Sequence, residues 1–388
     1  MNLLLALVSA SEYISGIQRH ALDLAQALAL HSEIDSIHVV ASPWQEGLLR
    51  AYLPASPRLH IHFARIGMSP IERNVWYYTQ LPRLAKTLRT DVVHLAYPMP
   101  TRRSRDHATI VTLHDLYPID SPENFTWPHV LVNRAILKQC LHAADAIGCV
   151  SHSTLDRLTQ YDSRIASRKA RVIHNIVEPH DADQRVPHLG PPFVLCIAQH
   201  RHNKNIPLAL SVFHSLLYRN VVPPLTRFVL VGIQGPESAA IRAWISTLGL
   251  VDHVDFCAGI SDAELHSLYA NCECVLAPSL TEGFGLPVVE ALQRGARVVC
   301  SDIPAFREMA DGLCTFVPLS GRGKEDFINA ATAALQLPRP APSIFPELSG
   351  EAIAAKWVNL YQQVIAVNAT RYLATRGADV VAKGTNLS

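Results

Sequence analysis

Short unbroken apolar runs alternate along the chain with longer stretches in which apolar residues recur every three or four positions. Leu3–Val8 is the first run. Ile17, Ala21, Leu22, Leu24, Ala25 and Leu28 follow at helical spacing, and Ile37–Ala41 supplies the next run. Unbroken runs of about four to eight apolar residues fit strands buried on both faces, and the 3.6-residue recurrence fits helices that cover them. The alternation predicts further strands at Leu59–Phe63, Val92–Leu95, Thr109–Leu113, Ala146–Val150 and Arg171–Ile173, with a helix near Trp76–Leu88. A second series opens at Phe193–Ala198 and continues through Arg227–Val231, His253–Cys257, Cys274–Pro278, Val298–Cys300 and Thr315–Pro318. Strands separated by helices imply parallel sheets in doubly wound α/β units.

Between the two series, Glu178–Pro192 is rich in proline, aspartate and histidine, lacks periodicity, and reads as the interdomain linker. Residues 1–180 and 191–350 are then two Rossmann-like domains facing each other across a cleft. Ile353, Trp357, Leu360, Tyr361, Val364 and Ile365 mark a late amphipathic helix, placed at 351–368 and expected to pack back toward the N-terminal domain. Residues 369–388 read as a motif-poor tail.

Composition narrows the function classes. At 388 residues the chain exceeds the usual span of one core, and 49% hydrophobic with 17% charged residues describes a globular protein. A net charge of +1 and the lack of a basic array interleaved with aromatics argue against a nucleic-acid partner. One stretch departs from neutrality. Between Arg50 and Arg105 ten basic residues face only Glu72 and Asp91, an excess fitting either ordinary solvated faces or contact with an anionic membrane or acidic acceptor. The eight cysteines sit mostly in apolar runs without metal-ligand or redox spacing, so a reducing, cytoplasmic setting without disulfides is expected. Met1–Ala10 lacks the basic flank of a signal peptide, and no apolar run reaches the roughly 18 residues of a membrane span.

The segment with most chemistry is Ser279-Leu-Thr-Glu-Gly-Phe-Gly-Leu-Pro-Val-Val-Glu290. It leads from a strand through a glycine loop into a helix, with Pro287 suited to the first helical position and Gly295 to the C′ position. A glycine loop at a helix N-terminus aims free N–H groups and the positive dipole end at an anion. Glu282 and Glu290 flank that point. Carboxylates are also common there for purely structural reasons, so the segment alone leaves both readings open.

Several segments together resemble, in order and spacing, the retaining glycosyltransferases of the GT-B fold, specifically the large family four. Glu282–Glu290 is similar to that family's E-x7-E element, with Pro278-Ser279, Ala291-Leu292, Gly295, Ser301-Asp302-Ile303-Pro304 and Glu308 around it. Gly259–Tyr269 resembles the loop and helix beside the nucleotide base. Ser15-Gly16-Ile17-Gln18-Arg19 resembles the first glycine loop, and Thr112-Leu113-His114-Asp115 the family's "HD" strand end.

The resemblance implies a nucleoside-diphosphate-sugar donor and assigns roles to individual residues. Lys204 would bind the diphosphate, Glu290 the ribose hydroxyls, and Glu282 would lie near the transferred sugar. Gly283, Phe284, Gly285 and Leu286 would line sugar and phosphates, Gly16 would approach the diphosphate, and His114 would contact the sugar or shape the acceptor side. Where the family often has Gly-Arg ahead of the lysine, this chain reads Ala198-Gln199, which leaves Gln199 or Arg201 as the substitute phosphate partner. Neither a cofactor nor a metal is implied, and His200 with His202 lacks a third ligand.

The implied reaction is transfer of a hexose, mannose by analogy, to a hydroxyl of a glycan or lipid-linked acceptor in bacterial surface-polysaccharide assembly, with retention. The enzyme would be cytoplasmic, with peripheral contact at the inner face of the cell membrane. The rival readings are a non-catalytic sugar-nucleotide-binding scaffold and another GT-B activity, such as a sugar-nucleotide epimerase or a phosphorylase.

Overall fold

The computed structural model describes residues 1–9, 16–178, 189–320 and 322–384, with side chains as far as residue 370. Strands β1 (Asn2–Ala6), β2 (Ser36–Ala41), β3 (Leu59–Phe63), β4 (Val92–Leu95), β5 (Ala108–Leu113), β6 (Ala146–Cys149) and β7 (Ala170–Val172) form one sheet in the order β3-β2-β1-β4-β5-β6-β7. Strands β8 (Phe193–Ile197), β9 (Arg227–Val231), β10 (Val254–Cys257), β11 (Cys274–Ala277), β12 (Val298–Ser301) and β13 (Thr315–Val317) form a second sheet in the order β10-β9-β8-β11-β12-β13. Every pairing is parallel, and each predicted strand is found within one or two residues of its expected ends. Continuous apolar runs such as Leu3–Val8 are buried on both faces because helices cover each sheet on both sides.

Each sheet reverses its winding once, between β1 and β4 in the first and between β8 and β11 in the second. At such a switch point the loops leaving the two strand ends splay apart and open a crevice. The loops after β8 and β11 carry Lys204 and Glu282, so topology alone delivers both to one crevice.

Two expectations need correction. The helix near Trp76–Leu88 is two helices, Pro70–Thr79 and Leu81–Leu88, which break at Gln80. Pro82 has no N–H to continue the ladder, so the second helix begins afresh around it. The residues from Ala369 do not form a separate tail, because a single helix runs Gly350–Gly384; residues 385–388 lie outside the described part. Its first half buries Ile353, Trp357, Tyr361 and Val364 against the first sheet. There the Tyr361 hydroxyl lies 2.7 Å from His94 Nδ1, and Trp357 packs so closely on Gly148 that a Cβ there would sit 2.1 Å from the indole. The first half of this helix therefore packs back on the first domain. Of the linker segment, residues 179–188 are outside the described part, and β8 starts directly after Pro192.

Candidate functional site

Gly285, at φ +94, turns the loop after β11 into the helix Leu286–Gln293, a conformation that favours glycine. Leu286 takes the first helical position and Pro287 the second. Gly295, at φ +63, closes the helix with bonds from its own N–H to Leu292 O and from Ala296 N to Ala291 O. Glu282 projects from the loop and accepts from two donors on the same oxygen. Lys204 Nζ stands 2.6 Å from Oε1, and Ser279 Oγ donates to it at 2.7 Å. Lys204 reaches there from the 3-10 turn His202–Lys204, with Asn205 at φ 50 redirecting the chain into the next helix. Both members of the pair are mostly buried. A small cavity beneath them is walled by Ala198, Pro278, Pro287 and Phe306.

Glu290 lies deeper and has different partners. Its Oε2 accepts from the Tyr269 hydroxyl at 2.8 Å, and its Oε1 is 3.7 Å from Arg19 Nη1. Burial pushes the Glu290 carboxyl up, while the Arg19 charge and the Tyr269 hydrogen bond pull it back down. The two glutamates thus belong to separate subsites of one loop-and-helix unit.

The first domain closes over this loop. A Cβ on Gly283 would lie 1.8 Å from the backbone oxygen of His114, so the two backbones touch. Ser151 Oγ donates to Gly283 O at 2.5 Å, and Thr154 Oγ1 lies 3.1 Å from His114 O and 3.2 Å from Gly283 O. Nearby, Glu308 accepts from the His152 and Ser153 N–H groups at 2.8 and 3.1 Å and from His174 Nε2 at 3.0 Å. It thereby caps the helix His152–Tyr161 of the other domain, where the dipole favours a carboxylate.

His114 directly follows β5, and its Nε2 donates to Ala96 O at 3.1 Å, which sets the tautomer with Nδ1 as acceptor. Burial lowers its pKa to about 4, so the ring is neutral at physiological pH. Gly16 begins the helix Gly16–Leu30, and a Cβ there would meet no atom of the described residues within 4 Å. Ser15 lies outside the described residues.

The structure brings Lys204, Glu282 and Gly283 up to His114, with Phe284, Gly285 and Leu286 completing the helix start. The Arg201 guanidinium lies 5.0 Å from the Tyr117 ring, over the first domain. Gln199 lies beside the lysine turn and accepts the Arg201 N–H at 2.7 Å through its backbone carbonyl. His200 bonds Ser238 instead of pairing with His202, and no group of residues suited to a metal ion occurs among the described residues. Arg19, Asp262, Tyr269 and Ser279 all fall in segments that carry the resemblance, but none of them has an individual role assigned from the sequence. The available signal for Arg19 was its place one turn past Gly16, on the same helix face.

Residues 14–181 match the family model "Glycosyltransferase Family 4" and residues 179–314 the model "Glycosyl transferases group 1". Among curated proteins, the O-antigen chain mannosyltransferase RfbU of Salmonella typhimurium is 27% identical over 51% of this chain and 53% of its own length, so the match spans about half of that relative. The O-antigen chain mannosyltransferase B of Escherichia coli is 25% identical over 76% of this chain and 81% of its own length. Among solved structures, sucrose-phosphate synthase from Thermosynechococcus elongatus superposes with a TM-score of 0.67 at 17% identity, covering 94% of this chain and 99% of that one. WaaG, a glycosyltransferase involved in lipopolysaccharide biosynthesis, gives 0.65 at 15% identity, covering 94% and 98%. At these identities the structural matches establish the GT-B fold.

Proposed function

This chain joins a Glycosyltransferase Family 4 domain to a Glycosyl transferases group 1 domain in the GT-B fold, and from that premise we propose that it transfers a hexose from a nucleoside-diphosphate sugar to a hydroxyl acceptor with retention. The observation that carries the reading is the Lys204–Glu282 pair, 2.6 Å apart at the switch point of the second sheet and beside a helix N-terminus. A departing diphosphate needs cationic and N–H donors where its charge develops. Lys204 and the N–H groups at the start of helix Leu286–Gln293 stand there, and we assign the leaving-group stabilisation to them. The two mannosyltransferase relatives support mannose as the sugar and surface polysaccharide as the product.

In the proposed reaction the bond from the anomeric carbon to the diphosphate oxygen breaks, and the bond to the acceptor oxygen forms on the same face. The acceptor proton passes to the departing diphosphate. Glu282, held by Lys204 and Ser279, accepts from sugar hydroxyls, and Glu290 from the ribose. Neutral His114 closes the acceptor side. Catalysis then rests on positioning and electrostatics.

We further propose that the acceptor is met at an anionic membrane surface. The helix Pro70–Thr79 exposes Ile71, Val75 and Tyr78 along one face, with the Arg102 guanidinium 4.1 Å above the Tyr78 ring. No helix among the described residues is long and apolar enough to cross a membrane.

The deciding experiment measures nucleoside-diphosphate release from GDP- and UDP-hexoses by purified protein and by its Glu282→Ala and Lys204→Ala variants. Each substitution is expected to lower turnover about 100-fold or more. Unchanged turnover in Glu282→Ala would remove that residue from the mechanism. Tight nucleotide binding without turnover of any donor would favour the scaffold reading.

A further inference from the structure

Arg19 belongs to the first domain, yet its charged end lies in the second. From the helix Gly16–Leu30 its Nη1 reaches 3.2 Å from Asp262 Oδ1 and 3.7 Å from Glu290 Oε1. Asp262 opens the helix Asp262–Asn271, whose Tyr269 donates to the other oxygen of Glu290. One guanidinium therefore ties two elements of the second domain to the first, at the carboxylate assigned to the ribose.

Resting on that donor-site reading, we propose that Arg19 is a positioning residue for the donor: reaching across the closed cleft, it keeps Glu290, oriented by Tyr269, in the carboxylate form that accepts from the ribose. Ribose recognition and domain closure then become one event, because the charge that keeps the carboxylate competent arrives from across the cleft. The surroundings fit the assignment. Glu290 is buried, and desolvation favours its neutral, hydroxyl-donating form, which would compete poorly as an acceptor. The charged and titratable groups facing the pair are Asp23 on the Arg19 helix, Tyr52 behind it, Asp262 and Tyr269 on the third element, and Arg294 on the Glu290 helix. Of these only Arg19 and Arg294 are cationic. Tyr52 donates to Asp23 at 2.7 Å, and burial raises the Asp23 carboxyl to about 6, so Asp23 competes little for the guanidinium at lower pH.

The test is titration of GDP and UDP into wild type, Arg19→Gln, Arg19→Lys and Glu290→Gln by calorimetry from pH 5 to 8. An opposite charge at this range moves a carboxyl by about one to three pH units. Arg19→Gln is therefore expected to bind like wild type at pH 8 within about threefold, and to lose affinity at a pH at least one unit higher. Arg19→Lys is expected to restore most of the wild-type profile, which a purely structural role would not predict. Uniform weakening of Arg19→Gln at every pH, with no displaced acid limb, overturns the proposal, because Arg19 would then touch the ligand directly. An unchanged profile overturns it as well. Glu290→Gln separates the two layers: if it leaves nucleotide affinity intact, the ribose assignment fails; if it weakens binding while Arg19→Gln changes nothing, only the present inference fails.

Discussion

The backbone oxygen of His114 occupies the place where a side chain on Gly283 would begin, 1.8 Å from an ideal Cβ. The contact joins the end of β5 in one domain to the glycine loop of the other, and both sides of it are backbone. Gly283 is not among the positive-φ glycines, so the restriction at this position is the contact and not the local conformation. Gly283→Ala is therefore expected to fold in each domain but to force the cleft open. Overpacking of this kind costs about 1–3 kcal/mol, which is about a fivefold to 150-fold loss of the closed population. Small-angle scattering should show a larger radius of gyration, and donor turnover should fall by at least about fivefold. A variant with unchanged radius and turnover would mean that closure does not depend on this contact.

The fold was legible because the central strands are compact apolar runs buried on both faces, while edge strands such as Leu59–Phe63 and Val254–Cys257 are only partly buried. Leu3–Val8 and Val298–Cys300 needed no tertiary information to be read. The long last helix was harder. Its apolar stripe is regular only where Trp357, Tyr361 and Val364 press on the first sheet, and beyond Ala369 the helix continues without that stripe as a guide. In the site, Lys204 and Glu282 were recognisable one by one, but their 2.6 Å pairing depends on β8 and β11 being neighbours, a property of strand order. Arg19, Asp262 and Glu290 come from three elements far apart in sequence. The approach of Arg19 to the other two follows from domain closure, which no local pattern records. Arg201 shows the same dependence: the resemblance offered it as the substitute phosphate partner, and only the fold shows that its guanidinium stands 5.0 Å from the Tyr117 ring of the first domain.

Acid should destabilise the protein well above the range of ordinary carboxylates. His20 and His94 are buried within the first domain and desolvated, with pKa values well below normal for His20 and about 3 for His94. His114 is lowered to about 4 for the same reason. Below about pH 6.5 the unfolded chain binds a proton at each of these sites that the folded protein refuses, so stability falls as pH drops from about 6.5 to 4. Asp23, raised to about 6, has the opposite sign: its contribution is present at low pH and is lost as pH rises through 6. His38, lowered to about 4, acts with the three imidazoles, as do His62, His107 and His200, whereas Asp115 and Glu290, raised by burial, act with Asp23. The histidines outnumber the carboxyls and leave a net loss, expected to be on the order of 1–3 kcal/mol between pH 6 and pH 5. Urea unfolding at the two pH values measures it. His94→Gln retains hydrogen-bonding capacity toward Tyr361 and Thr112 without a titrating group, and should flatten the dependence. A midpoint that is constant or higher at pH 5 would contradict the assignment.

Membrane contact is testable because its two contributions separate. On the helix Pro70–Thr79, Ile71 is 75% and Val75 55% exposed, while Trp76 and Tyr77 on the opposite side enter the core, so this helix turns apolar residues both inward and outward. The loop holding Arg102, Arg103 and Arg105 lies alongside. Arg102 stacks on Tyr78, and the same loop is pinned to the helix Trp127–Ala143 by the Thr101 N–H bond to Gln139 at 3.1 Å. That second helix also exposes Trp127 and Leu131. Basic residues near an anionic leaflet contribute about 1 kcal/mol each and are screened by salt, whereas inserted apolar side chains are not. Charge reversal at Arg102 and Arg105, sparing Arg103, whose guanidinium lies 3.6 Å from the buried Asp145 carboxylate, should therefore lower binding to phosphatidylglycerol-containing vesicles by at least about 30-fold at low salt. Ile71→Ser with Val75→Ser should lower it less, and by a similar factor at low and high salt. Turnover with a soluble acceptor should be unaffected in both, since none of these residues enters the donor site. Vesicle binding that survives the charge reversal would place the contact elsewhere on the molecule.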